Sequence, residues 1–184
     1  MNININSKNI VLIGMSGVGK TGVGKYIANK TKRKFIDTDD MIISFTGETI
    51  DDIFSKYGEE YFRFLEKKAI KRVASEKRTV ISTGGGVVLN NKNIQLLQSN
   101  GIIFLLKASI NTMVSNIEST PSSKERRPLL KDSSCLRQRI KKIYKEREKI
   151  YLASANQIIN VDGKTIEKIG DEIIYIFKQL NPCS

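Results

Sequence analysis

Short apolar runs alternate along this chain with longer stretches in which apolar residues recur every three or four positions. The short runs predict buried strands and the longer stretches predict amphipathic helices. Because the runs are continuously apolar, both faces of each strand should be covered, as in a parallel sheet between layers of helices. Five runs are predicted as strands, namely 10–13, 35–36, 79–82, 102–106 and 158–161.

Two helices follow one another between the second and third predicted strands. One stripe of apolar residues runs from Ile50 to Tyr57, and another runs from Phe62 to Val73. Both have the spacing of an amphipathic helix. We expect this extra helical block, about residues 38–76, to be a substrate-binding insertion. A further stripe over 166–180 predicts a closing helix.

Length and composition favour one folded domain over 1–184. The chain is 40% hydrophobic and 27% charged, which argues against disorder, and its longest apolar run, 102–106, is too short to span a membrane. Its first residues are polar and lead directly into a strand, so we expect no secretory signal and a cytoplasmic location. The sequence has no histidine and two distant cysteines, which excludes histidine-dependent triads and a Cys/His zinc site.

The charge balance predicts an anionic ligand. The chain has 31 Lys plus Arg against 19 Asp plus Glu, a net charge of +12. Nucleic acid, phosphorylated metabolites and acidic membranes would all suit such a surface. Aromatic residues make up 7% and tryptophan is absent, which disfavours a base-stacking nucleic-acid platform.

A phosphate-binding loop follows the first predicted strand. Residues Gly14 to Thr21 match G-x-x-x-x-G-K-[ST] and lead into a predicted helix. In such a loop backbone N–H groups surround phosphates, Lys20 reaches the β and γ oxygens, and the Thr21 hydroxyl is a Mg²⁺ ligand. No Asn-Lys-x-Asp segment follows a later strand, which favours ATP over GTP. The predicted nucleotide-binding residues here are Gly17, Val18, Gly19, Lys20, Thr21 and Gly22.

Two acids stand at the end of the second predicted strand. If Asp37 and Asp39 both belong to that strand, their carboxylates point to the same face, beside the phosphate loop. One could then bind a metal ion while the other takes a proton. The alternative is that either residue caps the next helix.

Three arginines stand out by position. Glu66, three residues after Arg63, could orient that guanidinium, although the two could also form a plain surface pair. Arg147 lies on an apolar helical stripe, so it either enters a pocket or reaches solvent by snorkelling. Arg127 lies in a polar, proline-containing segment that is either a closing loop or a tolerated insertion.

A glycine turn, Gly84 to Gly86, follows the third predicted strand. Glycines without side chains let a ligand approach backbone amides closely, although three glycines can also form a plain flexible turn.

Taken in chain order, these motifs resemble the shikimate kinase family. The resemblance extends from Gly14 to about Tyr151. It rests on the phosphate loop, Asp37-x-Asp39, Gly-Glu-x-x-Phe-Arg63, Gly84-Gly-Gly86, Arg127-Pro-Leu-Leu and Arg147-x-x-x-Tyr151.

The resemblance implies Mg²⁺- and ATP-dependent phosphorylation of the 3-hydroxyl of shikimate, on the way to chorismate and the aromatic amino acids. It implies an α/β fold of the nucleoside-monophosphate-kinase type, a three-layer sandwich. The parallel sheet would have five strands in the order 2-3-1-4-5, with a lid over about 117–133. It also implies a monomer whose partners are shikimate and ATP, with no nucleic acid and no membrane.

The resemblance also assigns roles to residues. Thr21 would be the Mg²⁺ ligand and Asp37 would support the metal site through water. Asp39 would bind the acceptor hydroxyl and assist its deprotonation. Lys20 and Arg127 would act on the phosphates as further catalytic residues, with Arg127 in the lid on ATP. The shikimate site would be formed by Asp39, Arg63, Arg147, Gly84, Gly85, Gly86, Phe54 and Phe62.

The chain departs from the family pattern in three places. Ile43 stands where a glutamate is usual, Asn116 stands where an adenine-side arginine is often found, and the lid is several residues longer. One alternative is a related phosphate-loop kinase for another hydroxy acid such as gluconate. Another is a non-catalytic, nucleotide-gated module that binds nucleic acid.

Overall fold

Five parallel strands form the centre of the molecule. The computed structural model describes residues 7–119 and 136–180. Within that part, the sheet has the strand order β2-β3-β1-β4-β5, as the resemblance implied. The strands are β1 (Asn9–Ile13), β2 (Lys34–Asp37), β3 (Thr79–Ser82), β4 (Gly101–Lys107) and β5 (Gln157–Asn160). All five predicted strands are confirmed, with boundaries that differ by one residue for most of them.

Seven α-helices connect or follow these strands in the described residues. They are α1 (Lys20–Thr31), α2 (Thr38–Thr46), α3 (Ile50–Val73), α4 (Asn91–Ser99), α5 (Ile110–Glu118), α6 (Leu136–Ser154) and α7 (Ile166–Leu180). Every residue of β1 is buried, so helices cover both faces of the sheet. None of the helices in the described ranges is long and apolar enough to cross a membrane.

The helical block between β2 and β3 contains the two helices predicted from the apolar stripes that start at Ile50 and Phe62. They are the two halves of α3 and meet at a kink, where Gly58 has φ 79° and ψ 176°. A further helix, α2, precedes them and lies within the predicted helical block of about residues 38–76. It begins at the cap residue Asp37 and ends at Gly47, whose φ of 71° is left-handed. A small apolar core joins α2 and α3 through Ile42, Ile50, Ile53, Phe62, Leu65 and Ala69.

The carboxyl ends of the strands place the chemically interesting residues together. The phosphate loop leaves β1, Asp37 ends β2, and the glycine turn leaves β3. Since parallel strands end at one edge of a sheet, these three segments share that edge. Most of the predicted lid lies outside the described residues, because the structure describes nothing between 119 and 136.

Candidate active site

The phosphate loop has a backbone shape that depends on glycine. Gly14, Gly17 and Gly19 have φ values of 143°, 86° and 90°, which residues with side chains rarely adopt. Lys20 folds back over the loop, and its Nζ donates to the carbonyl oxygens of Gly14 at 2.8 Å and Met15 at 2.9 Å. The loop therefore has a defined shape at the N-terminus of α1, where a helix favours anions.

A cavity of about 340 Å³ opens beside this loop. Its walls come from the phosphate loop, from α1, α5 and α7, and from the segment between β5 and α7. The lining residues are Gly17, Val18, Gly19, Val23, Thr112, Asn116, Ser119, Val161, Gly163, Lys164, Ile166 and Ile169. Its position makes it the candidate nucleotide pocket. The sequence carries no motif for its distal wall, because those residues come from separate segments.

Asp37 and Asp39 are close together, but not for the reason that the sequence suggested. Asp39 lies in the first turn of α2 rather than on β2, so strand alternation does not set its direction. Asp37 caps that helix, since its Oδ1 accepts from the Asp39 backbone N–H at 3.0 Å. Its Oδ2 accepts from the Thr21 hydroxyl at 2.8 Å. Asp37 therefore caps α2 and faces the phosphate loop at once.

The Thr21 and Asp37 oxygens fit a Mg²⁺ ion by donor type. Hydroxyl and carboxylate oxygens are hard ligands, and Mg²⁺ is commonly held by one or two such groups together with substrate phosphates. The contact between these side chains places both donors at the end of the phosphate loop.

Asp39 has the properties of a general base. Its Oδ1 is buried and has no hydrogen-bond partner among the described residues. The pKa of Asp39 is raised to about 7, mainly by burial and also by the negative charges of Asp37 and Glu66, while the positive charge of Lys20 opposes the shift. A carboxyl group with a pKa near neutrality can accept a proton from a hydroxyl and release it again.

Arg63 is held by two carboxylates of its own helix. Its Nη1 donates to Glu66 Oε2 at 3.0 Å, and its Nε and Nη2 donate to Glu59 Oε1 at 3.1 and 2.8 Å. The Glu66 side chain is only 1% exposed, so the predicted Arg63–Glu66 contact is more than a plain surface pair. Burial raises the pKa of Glu66, although the positive charges of Arg63 and Arg147 oppose that shift.

The glycine turn is required by its neighbours. A Cβ atom at Gly84 would lie 2.7 Å from Asp39 Oδ1 and 3.2 Å from Glu66 Oε1, and one at Gly86 would overlap the Arg63 guanidinium. Glycines here therefore let an acid and an arginine approach the backbone, and the turn is not merely flexible. A Cβ at Gly85 would lie 3.3 Å from Ser16 Oγ, so the turn also contacts the phosphate loop.

Two residues of α6 bind this turn from the other side. Arg147 Nη1 donates to the Gly85 carbonyl at 3.1 Å, and the Tyr151 hydroxyl donates to the same oxygen. Arg147 therefore points into the site and does not snorkel. Tyr151 is 1% exposed, and burial raises its pKa. The sequence reasoning used Tyr151 only as part of a motif and assigned it no role.

We call Asp39, Arg63, Glu66, Arg147 and the turn 84–86 the acceptor cluster. An aromatic wall borders it, where the rings of Phe54 and Phe62 lie 4.7 Å apart. The Arg63 guanidinium lies 5.2 Å from the centre of the Phe62 ring. The structure thus brings these predicted residues together.

Two predicted site residues stand apart from this picture. Gly22 lies in the first turn of α1, where a Cβ would be 3.1 Å from Ile166 Cδ1, so close helix packing accounts for the glycine. Arg127 lies outside the described residues, and its role in the lid stays a prediction.

Comparison with known proteins identifies the family to which this chain is similar. A family model described as shikimate kinase matches residues 16–178. The shikimate kinase of Caldanaerobacter subterraneus subsp. tengcongensis is 44% identical over 173 residues, which cover 94% of this chain and 98% of that protein. A shikimate kinase from Acinetobacter baumannii, solved in complex with shikimate, superimposes with a TM-score of 0.89 at 29% identity over 96% of both chains.

A kinase for a different hydroxy acid shares the fold. A gluconokinase from Sinorhizobium meliloti superimposes with a TM-score of 0.56 at 16% identity, covering 96% of this chain and 94% of that one. A likeness at this level concerns the fold alone.

Proposed function

The chain belongs to the shikimate kinase family, and on that premise we propose that it transfers the γ-phosphoryl group of ATP to the 3-hydroxyl of shikimate. The observation that carries the proposal is the contact between the phosphate loop and the acceptor cluster, where the glycine turn lies against Ser16. A nucleotide on the loop and a small acid on the cluster would therefore meet at this turn.

The acceptor cluster suits a small molecule with one carboxylate and several hydroxyls. Arg63 and Arg147 supply guanidinium groups, which match a carboxylate through paired hydrogen bonds. Glu59 and Glu66 hold the Arg63 fork in place before any ligand arrives, which lowers the entropy cost of binding. Phe54 and Phe62 cover the apolar ring face of such a molecule.

Asp39 would supply the base for the transfer. The acceptor oxygen bonds to the γ-phosphorus, the bond from that phosphorus to the β–γ bridging oxygen breaks, and ADP leaves. The hydroxyl proton passes to the Asp39 carboxylate. Lys20 and the backbone N–H groups of the loop hold the phosphates, which is the main protein contribution to such reactions.

Thr21 and Asp37 are the residues that would hold Mg²⁺. When bound, the ion neutralises developing charge on the phosphate oxygens. The Asp37 carboxylate would orient the Thr21 hydroxyl toward it, as the 2.8 Å contact between them indicates. By the family resemblance, Arg127 would close over the transferred group.

The test is ADP release from Mg²⁺ and ATP with and without an added acceptor. We expect shikimate to stimulate ADP release strongly, and gluconate at the same concentration to leave it at the background rate. Mass spectrometry of the product should show one added phosphoryl group on shikimate. Stimulation by gluconate but not by shikimate would contradict the proposal.

A further inference from the structure

Helix α5 supports the phosphate loop from outside the loop motif. Asn116 Nδ2 donates to the Gly17 carbonyl at 2.8 Å, across 99 positions of sequence. A Cβ atom at Gly17 would lie 2.6 Å from the Met113 carbonyl and 3.0 Å from Ile117 Cγ1. The loop therefore packs closely against α5, and a side-chain hydrogen bond from Asn116 holds the carbonyl group of Gly17.

The orientation of that peptide matters for phosphate binding. In a trans peptide the C=O and the following N–H point in opposite directions. Fixing the Gly17 carbonyl on Asn116 therefore also fixes the direction of the Val18 N–H. Backbone N–H groups of such loops are the phosphate donors, and Val18 lines the candidate nucleotide pocket together with Asn116.

A glycine-rich loop loses much conformational freedom when it is ordered. A contact that orders the loop beforehand removes part of this cost from ligand binding. Asn116 is placed to do so, because it is anchored in a regular helix whose Met113 and Ile117 side chains are buried.

We propose that Asn116 is a positioning residue for nucleotide binding, which holds the Gly17–Val18 peptide of the phosphate loop in its phosphate-binding orientation. The proposal rests on the proposed function only in so far as the loop binds a nucleotide. It concerns a residue that the loop motif does not contain.

The test measures ADP binding by titration calorimetry in the presence of Mg²⁺. In the Asn116→Ala variant we expect the Kd for ADP to rise about three- to tenfold, the factor that one ordinary hydrogen bond supplies. Asn116→Asp should weaken binding more, since a carboxylate of nearly the same shape would face the Gly17 carbonyl. In steady-state assays of both variants, the KM for ATP should rise while the KM for shikimate stays within about twofold, a difference below the strength of one hydrogen bond.

Ser115→Asp is the matched control. Ser115 is an exposed neighbour on the same helix, so this change adds the same charge without touching the loop. Its ADP affinity should stay close to that of the unmodified protein. An Asn116→Ala variant that melts normally and binds ADP as tightly as the unmodified protein would overturn the proposal, as would equal weakening by Ser115→Asp.

These outcomes are separable from failure of the proposed function. A protein that binds ADP but does not phosphorylate shikimate would defeat the proposed function, and the ADP titrations would still decide the role of Asn116.

Discussion

The phosphate loop and the acceptor cluster are both suited to bind anions, but they offer different kinds of groups to the ligand. The loop is one continuous segment, 14–21, and it offers backbone N–H groups and a single lysine. The acceptor cluster gathers side chains from α2, α3 and α6 around a turn that follows β3. The phosphate loop can therefore be identified from a short continuous segment of sequence, whereas the acceptor cluster forms only when the chain folds.

The two regions also differ in how their charges are compensated. Lys20 rests on two carbonyl oxygens of its own loop. In the acceptor cluster, Glu66 is a buried acid paired with Arg63, and the buried Oδ1 of Asp39 lies with Glu66 around Gly84. Burial raises the pKa of both acids. Buried charges depend strongly on their partners, because removing one leaves the other unpaired. Changes in the acceptor cluster should therefore damage acceptor binding or transfer while leaving nucleotide binding intact.

The largest expected effect comes from Asp39→Asn. The amide keeps the shape of the side chain but cannot take the proton, so kcat should fall by about tenfold to a hundredfold or more. Binding of ADP should be nearly unchanged, because the phosphate loop is untouched. Near-normal turnover would remove Asp39 from the role of base.

The second largest effect is expected from Gly86→Ala, which tests whether the Arg63 guanidinium needs the space that Gly86 leaves open. Gly86 has a φ of −104°, so alanine causes no backbone strain there, but its methyl group would displace the Arg63 guanidinium. We expect the KM for shikimate to rise about tenfold, the loss of roughly one charged hydrogen bond. In an Arg63→Ala background the same change should add little, and an additive effect would show that the methyl group acts elsewhere.

Arg63→Lys tests the fork itself. An ammonium group cannot make the three hydrogen bonds that Arg63 makes to Glu59 and Glu66, nor bind a carboxylate in a paired fashion. The KM for shikimate should rise several-fold while the KM for ATP stays constant. Arg72→Lys, an exposed position on the same helix, is the control and should change neither. An unchanged KM for shikimate in Arg63→Lys would refute this role.

Tyr151→Phe should have a smaller effect. The ring stays buried, and Arg147 still donates to the Gly85 carbonyl, so no acceptor is left without a partner. We expect the KM for shikimate to rise by about twofold to threefold, consistent with one shared hydrogen bond. A loss as large as that of Asp39→Asn would mean that the hydroxyl takes part in the transfer.

The smallest expected effect is on stability and depends on pH. In the folded protein the pKa of Asp39 is raised from its ordinary value of 3.8 to about 7, so folding favours the protonated form. The contribution of Asp39 to stability is therefore lost progressively as the pH rises from about 4 to about 7, and it does not return at higher pH. Asp39→Asn should raise Tm by a few degrees at about pH 8, and by much less at about pH 4. An equal Tm change at both values would contradict this account.

Some features could be predicted because local sequence is sufficient for them. The five strands are short and continuously apolar, and the phosphate loop follows from its glycine spacing. Helix α2 was not distinguished within the helical block predicted at about 38–76, because Asp37 and Asp39 were both interpreted as the end of the second strand. The Asp39 direction was deduced from strand alternation, whereas β2 ends at Asp37, which caps α2, so that Asp39 lies in the first turn of that helix.

The sequence by itself determined the sheet, the phosphate loop and the types of charged residue available for a second site. Only the tertiary structure decided that Glu66 is buried under Arg63, that Tyr151 and Arg147 share the Gly85 carbonyl, and that Asn116 holds the loop. The physical reason is the separation along the chain of the residues that interact. Hydrophobic periodicity and glycine spacing act within a few residues of the chain, while burial and hydrogen bonds between distant segments exist only after the strands have brought those segments to one edge of the sheet.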